Sequence, residues 1–276
     1  MLDLDNLFED LEEEKYVGVV CFDYDGTLVS KPEGVYEITQ ETIDALEALR
    51  DNGYLTVLAS GRSRLMSEHV LEYFDGLILL NGSFVSIGTK VLRDLYLPEF
   101  QVQQVAEALK RHGLSAFFDC LDDCYSNDLD EPSMDALLRV LEIPKEWFDP
   151  WDENADAPVY KFVISYQNED EMLSFIEEFQ EDYHIIHQPK FSYADMNPKG
   201  ITKGDGVRVI LEETGLPKEK CYVFGDGNND IPMFLEAGTG IAMGNHTKDL
   251  GAIADMIAKP VNENGVAIAL KELGLI

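Results

Sequence analysis

The chain has 276 residues, with 21 Lys plus Arg against 53 Asp plus Glu and a formal net charge of −32 at pH 7. A field of that sign repels nucleic acid and anionic lipid head groups, so neither is an expected partner, whereas a bound divalent cation could still admit a small anionic substrate. Apolar residues at 45% and aromatics at 10% exclude a disordered chain and supply core volume for two domains, or for one with a large insert.

The elements follow in chain order. Met1 to Lys15 is acidic where an export signal starts basic, and Leu4, Leu7, Phe8 and Leu11 recur there at helical spacing, which predicts a short amphipathic helix. Tyr16 to Phe22 is a strand-sized apolar run ending in Asp23-Tyr24-Asp25-Gly26. Thr39 caps a predicted helix through Leu49, and Asn52-Gly53 stops it before the strand Tyr54 to Ala59. Ser60-Gly61-Arg62 opens a further helix, and Leu77 to Leu80 is the next strand. The alternation predicts a doubly wound, parallel, Rossmann-like α/β sheet.

After Asn81-Gly82 the rhythm changes to hairpins and helices. Phe84 to Ile87 and Val91 to Tyr96 form one predicted hairpin, and Ser115 to Asp119 with Cys124 to Asn127 a second. Helices are predicted from Phe100 to His112, from near Pro132, and from Glu169 to Glu181; strands are predicted from Val159 to Tyr166, His184 to Gln188 and Phe191 to Met196. We therefore expect an α+β cap over 84–190, inserted in a core made of 1–83 and 191–276. Alternation returns with helix Gly204 to Thr214, strand Tyr222 to Phe224, helix Asp230 to Ala237 and strand Gly240 to Met243. No apolar run reaches bilayer-spanning length, and the four scattered cysteines read as buried thiols, so a reducing cytoplasm is the expected setting.

Two constellations carry chemistry. Asp23-Tyr24-Asp25-Gly26-Thr27 and Gly225-Asp226-Gly227-Asn228-Asn229-Asp230 each follow an apolar strand, which places their carboxylates at the carboxyl edge of the sheet, where open α/β folds bind ligands. A calcium loop is the rival for the second, but it lacks the Glu at the twelfth position and the preceding helix. Asp23, Asp25, Asp226 and Asp230 at one edge would repel one another unless a hard divalent cation sat among them, and Mg²⁺ fits.

With Asp23 to Leu28, Leu58-Ala59-Ser60-Gly61-Arg62, Lys203 in Gly200 to Gly204, and Gly225 to Asp230 in this order, the chain resembles the haloacid dehalogenase superfamily. It is closest to the Cof-type branch, whose cap lies between the second and third motifs, and Ser60 stands where Thr is commoner. The resemblance implies a Mg²⁺-dependent phosphatase of small phosphorylated metabolites, with sugar phosphates the favoured class. It implies that Asp23 attacks phosphorus to form an aspartyl-phosphate, and that Asp25 protonates the leaving oxygen and then activates water. Ser60 and Lys203 complete the catalytic set. The metal would be held by Asp23, the Asp25 carbonyl and Asp226, with Asp230 on its water. Ser60, the amides from Gly61 at the helix start, Lys203 and Asn229 would bind the phosphoryl group.

Other readings remain open at this level. A phosphomutase shares the Asp-x-Asp chemistry, and a phosphometabolite-binding regulator could share the fold without turnover. Lys199 rivals Lys203, but Lys203 leads directly into a helix. Cys120 to Cys124 reads as a hairpin turn rather than a zinc site. Lys161, between Tyr160 and Phe162 on a cap strand, is a candidate substrate contact or an exposed sheet residue.

Overall fold

The computed structural model describes residues 16–152 and 157–276, so the helix expected in Met1 to Lys15 lies outside the described residues. β1 (Gly18–Phe22) is buried at every position because helices cover both of its faces. α1 (Gln40–Asp51) begins where the Thr39 hydroxyl accepts from the Thr42 amide, and ends at Asn52. β2 (Tyr54–Ala59), the four-residue α2 (Arg64–Ser67) and β3 (Gly76–Leu79) follow. Then come β4 (Phe84–Ile87), β5 (Lys90–Asp94), α3 (Glu99–His112), β6 (Ser115–Asp119), β7 (Cys124–Ser126), α4 (Pro132–Leu141) and β8 (Phe148–Pro150). β9 (Lys161–Ser165), α5 (Glu169–Phe179), β10 (Tyr183–Gln188) and β11 (Tyr193–Pro198) lead to α6 (Lys203–Thr214) and β12 (Cys221–Gly225). α7 (Ile231–Glu236), β13 (Thr239–Ala242), α8 (Lys248–Gly251), β14 (Met256–Ile257) and α9 (Gly265–Glu272) close the chain.

The core is an eight-stranded sheet in the order β14-β13-β12-β1-β2-β3-β4-β5, parallel through β3 and antiparallel beyond it. Val20 and Phe22 point into a layer with Leu46 and Leu49 of α1 and Leu270 of α9. Val19 and Cys21 point into the opposite layer with Val207 and Ile210 of α6 and Met233 of α7. Strand order reverses between β1 and β12, which makes the carboxyl edge of that pair the crevice where such sheets bind ligands. Among the described residues, no helix is long and apolar enough to cross a membrane.

Strand pairing moves both boundaries of the insert. The expected cap began at residue 84, but β4 and β5 extend the core sheet, with Leu79 opposite Phe84. The cause is a tight reversal: Leu80, Asn81 and Gly82 all have positive φ, and a side chain at Gly82 would stand 2.2 Å from the Thr202 carbonyl. At the other end, β11 pairs with β10 and β9 and so belongs to the cap rather than to the core expected from residue 191. The chain crosses between the two sheets near residues 95–98 and 199–202. The six-stranded cap sheet runs β10-β11-β9-β6-β7-β8, and its parallel edge strand β8 was not foreseen. Phe118 and Phe162 pack beneath α3 and α5, while Phe117 and Val163, on the other face, meet α4 and Met66 of the core.

Candidate active site

The site is assembled at the ends of three neighbouring strands. Asp23 leaves β1 with its amide bonded to the Phe224 carbonyl at 2.9 Å, and Asp226 leaves β12 beside it. Between them Gly26 has φ +90°, and a Cβ there would lie 2.2 Å from the Asp226 carboxylate. Glycine is required at this point for both conformation and approach.

Lys203 is the first residue of α6, whose start is fixed by a reciprocal pair in which Thr202 accepts from the Asp205 amide and Asp205 accepts from the Thr202 amide. A cation at a helix N-terminus opposes the helix dipole. Here two carboxylates offset that cost: the Lys203 ammonium donates to Asp23 Oδ1 at 2.5 Å and to Asp230 Oδ1 at 2.7 Å, with the side chain wholly buried. Burial alone would lower its pKa, yet Asp23 and Asp230 hold it above the ordinary lysine value. Lys199, the sequence rival, bonds to the Glu181 carbonyl at the exposed side of the molecule.

Asp230 is held by the protein through both of its carboxylate oxygens. Its Oδ2 accepts from the amides of Asp226 and Gly227, each at 3.0 Å, and its Oδ1 accepts from Lys203. It thereby fixes the loop that presents Asp226. Even so, Asp23, Asp226 and Asp230 each offer a carboxylate oxygen within 4.8 Å of the others. Burial, reinforced by the neighbouring carboxylates, pushes Asp23 well above the usual carboxylate range against the pull of Lys203. Asp226 is pushed up to about 7, first by burial and then by Asp230. With all three carboxylates ionised, the one ammonium leaves two negative charges, which a hard divalent cation would balance, so the donor set fits Mg²⁺.

Asp25 stands apart from this cluster. Its carboxylate receives Arg62 through Nε at 2.8 Å and Nη2 at 2.7 Å, and the guanidinium lies 4.6 Å from the centre of the Tyr24 ring. The Tyr24 hydroxyl in turn meets His69 Nε2 at 2.9 Å. The sequence placed Arg62 in a motif without giving it a partner. Only the chain's return from β2 brings the two together.

Ser60 is buried at the end of β2 and its hydroxyl accepts from the Arg62 amide at 3.1 Å, which leaves its proton free for another acceptor. The expected helix start at Gly61 is displaced to Arg64, because Ser63 caps α2 and residues 60–62 are pinned instead to the β3–β4 reversal by the Leu80 and Asn81 amides. Gly61 therefore offers a loop amide, not a helix terminus. Asn229 lies on the rim of the same cavity of about 820 Å³, which Asp23, Asp25, Ser60, Gly61 and Asp226 also line.

Lys161 is buried, not on an exposed face: it lies opposite Asp119 across β6 and diagonal to Asp195 on β11, at 3.9 and 3.0 Å. All three line that cavity from the cap side. Cys120 and Cys124 flank the β6–β7 turn as free thiols, whose pKa values burial pushes up.

A family profile described as haloacid dehalogenase-like hydrolase matches residues 20–270. YkrA of Bacillus subtilis (strain 168), provisionally named a phosphatase, is 30% identical over 261 residues, spanning 94% of this chain and 98% of its own. The crystal structure of a hypothetical protein from Geobacillus kaustophilus HTA426 is similar with a TM-score of 0.85 at 28% identity, over 94% of this chain and 99% of that one. The HAD subclass IIB sugar phosphatase BT4131 is similar with a TM-score of 0.76 at 27% identity, over 94% and 100% of the two chains.

Proposed function

The chain belongs to the haloacid dehalogenase-like hydrolases, and on that premise we propose that it is a Mg²⁺-dependent phosphoric monoester hydrolase of small phosphorylated metabolites, sugar phosphates first among them. The observation that supports this reading is the convergence of Asp23, Asp226 and Ser60 on one cavity at the switch point of the sheet, with the buried Lys203 bonded to Asp23 behind it. Asp23 and Asp226, with the Asp25 carbonyl, would hold the metal. Bound there, Mg²⁺ supplies positive charge that neutralises carboxylate and phosphoryl oxygens.

Asp23 attacks phosphorus in line while the ester oxygen leaves, so the P–O bond to the leaving group breaks as the Asp23–phosphorus bond forms. Lys203 holds the attacking carboxylate in place through the 2.5 Å contact. Ser60 donates its free proton to a phosphoryl oxygen, and Asn229 closes the rim. Asp25 gives its proton to the leaving oxygen, which requires its carboxyl group to turn from Arg62 toward the cavity. It then takes a proton from water as that water displaces Asp23 from phosphorus.

Phosphate release from a panel of sugar phosphates, followed with and without EDTA, tests this reading. Turnover that is lost in chelator and restored by Mg²⁺ is expected. Full activity in EDTA would overturn metal dependence, and transfer to an added sugar hydroxyl in place of water would mark a phosphomutase.

A further inference from the structure

The cap wall facing the site carries three charged side chains that the catalytic chemistry does not use. Asp119, Lys161 and Asp195 sit on β6, β9 and β11, adjacent strands in the middle of the cap sheet. Asp119 is 1% and Lys161 6% exposed. Burying two of these charges costs several kcal/mol per ion before pairing, and the neighbouring positions Phe117 and Val163 on the same face show that apolar residues fit there. A purely structural sheet face would have no use for the triad.

We propose that Asp119, Lys161 and Asp195 form the subsite for the leaving group, and that they select neutral polyhydroxylated leaving groups over those bearing a carboxylate or an amine. The proposal rests on the phosphatase reading above and names the residues that choose the ester. The three groups present acceptor, donor and acceptor in a row. Lys161 has three N–H donors, of which one reaches Asp195 at 3.0 Å while Asp119, at 3.9 Å, is beyond direct hydrogen-bond distance. A hydroxyl both donates and accepts, so two neighbouring hydroxyls can accept from Lys161 and donate to the carboxylates. A carboxylate on the substrate could accept from Lys161 but would be desolvated beside two negative charges. An ammonium could donate to the aspartates but would be repelled by Lys161. Phe117 and Val163 flank the triad and suit the C–H face of a sugar.

The subsite is held in register with the phosphate loop. Asp195 accepts from Asn197 at 3.3 Å, Asn197 accepts from Asn81 at 2.9 Å, and the Asn81 amide bonds to the Ser60 carbonyl at 3.1 Å. A polar chain thus runs from the cap wall through the β3–β4 reversal of the core to the residue at the phosphoryl group.

The test uses the full chain with Mg²⁺ on a hexose 6-phosphate, a pentitol phosphate, 3-phosphoglycerate and phosphoethanolamine, with nitrophenyl phosphate as a reference ester lacking hydroxyls. The best polyhydroxylated ester should exceed 3-phosphoglycerate and phosphoethanolamine by about 100-fold in kcat/KM, since unpaired polar groups penalise the wrong ligand. In Lys161→Met and Asp195→Asn, the ratio of kcat/KM for the polyhydroxylated ester to that for nitrophenyl phosphate should fall about 30-fold, mainly through KM, as expected for a lost charge-assisted hydrogen bond. Thermal melts check folding, and Asp195→Asn, at a partly exposed carboxylate, decides the matter if Lys161→Met fails to fold. A ratio that moves less than about threefold in a folded variant overturns the subsite, as does wild-type preference for 3-phosphoglycerate. Failure of the phosphatase reading looks different: the wild type would hydrolyse none of the five esters, and the subsite would fall with it.

Discussion

The molecule buries a lysine between two aspartates twice, and the two clusters are built in different ways. In the core, Lys203 meets Asp23 and Asp230 at 2.5 and 2.7 Å where a strand end, a helix start and a loop converge. Backbone amides of Asp226 and Gly227 fix Asp230, so the geometry is determined by the main chain. In the cap, Lys161 meets Asp195 and Asp119 at 3.0 and 3.9 Å from the middle of three strands, held by cross-strand register and by side-chain bonds from Asn197 and Cys124 rather than by backbone amides. Chemistry needs atoms fixed at a sheet edge. Recognition can be written on a sheet face, where a side chain can change without disturbing the strand that bears it.

The comparison breaks first if loss of the core nucleophile does not affect every substrate alike. Asp23→Asn removes the nucleophile, and turnover of all esters should vanish together with any labelled phosphoenzyme. Asp25→Asn should cost about 10²–10⁴-fold on a sugar phosphate, the usual worth of proton transfer. Nitrophenolate departs without a proton, so rapid mixing of Asp25→Asn with nitrophenyl phosphate should give a burst near one equivalent and then slow turnover. A folded, Mg²⁺-loaded variant with neither burst nor phosphoenzyme would show that the Arg62-bound carboxylate does more than move protons.

Next in size is a stability effect confined to the cap cluster. Burial, aided by Asp195 and opposed by Lys161, pushes Asp119 up to about 6. Its folded pKa therefore lies above its unfolded value of about 3.9. Below about pH 4 the group is protonated in both states and its contribution is fully present; as pH rises through 6 the unfolded state releases the proton first and that contribution is lost. Urea unfolding of wild type and Asp119→Asn should accordingly diverge between about pH 4 and 6.5, the wild type losing on the order of 3 kcal/mol relative to the variant. Parallel pH profiles would show that the cap triad is better solvated than its packing implies.

How much of this could be read in the sequence follows from the same contrast. Asp23 and Asp226 follow apolar strands, so local pattern places them at the sheet edge, whereas Ser60 and Lys203 enter the site reading through the family resemblance. The doubly wound core follows from β1 and its neighbours, whose apolar runs need two covered faces. Partners across strands do not follow. Lys161 and Asp195 are 34 residues apart and Arg62 and Asp25 are 37 apart, and alternation tells which face a residue occupies but not which strand lies beside it. The insert boundaries failed for the same reason: the hairpin of β4 and β5 has the same pattern whether it pairs with β3 or with a cap strand.

The smallest effect is expected where core and cap meet at the mouth of the cavity. Lys31, the first residue of a short 3₁₀ helix after β1, pairs at 2.8 Å with Glu142, the residue that ends α4, and their side chains are 35% and 59% exposed. An ion pair so exposed contributes about 0.2–1 kcal/mol and is screened by salt. The cap has firmer attachments at α2: the Leu65 amide bonds to the Leu121 carbonyl at 3.1 Å, Arg64 grips Asp122 through two nitrogens, and Met66 packs into the cap cluster. A double-mutant cycle of Lys31→Met and Glu142→Gln, read on both thermal stability and kcat/KM, should therefore give a coupling energy below about 1 kcal/mol that shrinks further in about 0.5 M salt. Glu142 sits at φ +56°, and Gln has the same branching at Cβ, so the substitution changes charge without adding steric strain at the end of the helix. A salt-resistant coupling above about 2 kcal/mol would mean that this pair, rather than the contacts around Met66, holds the cap against the core.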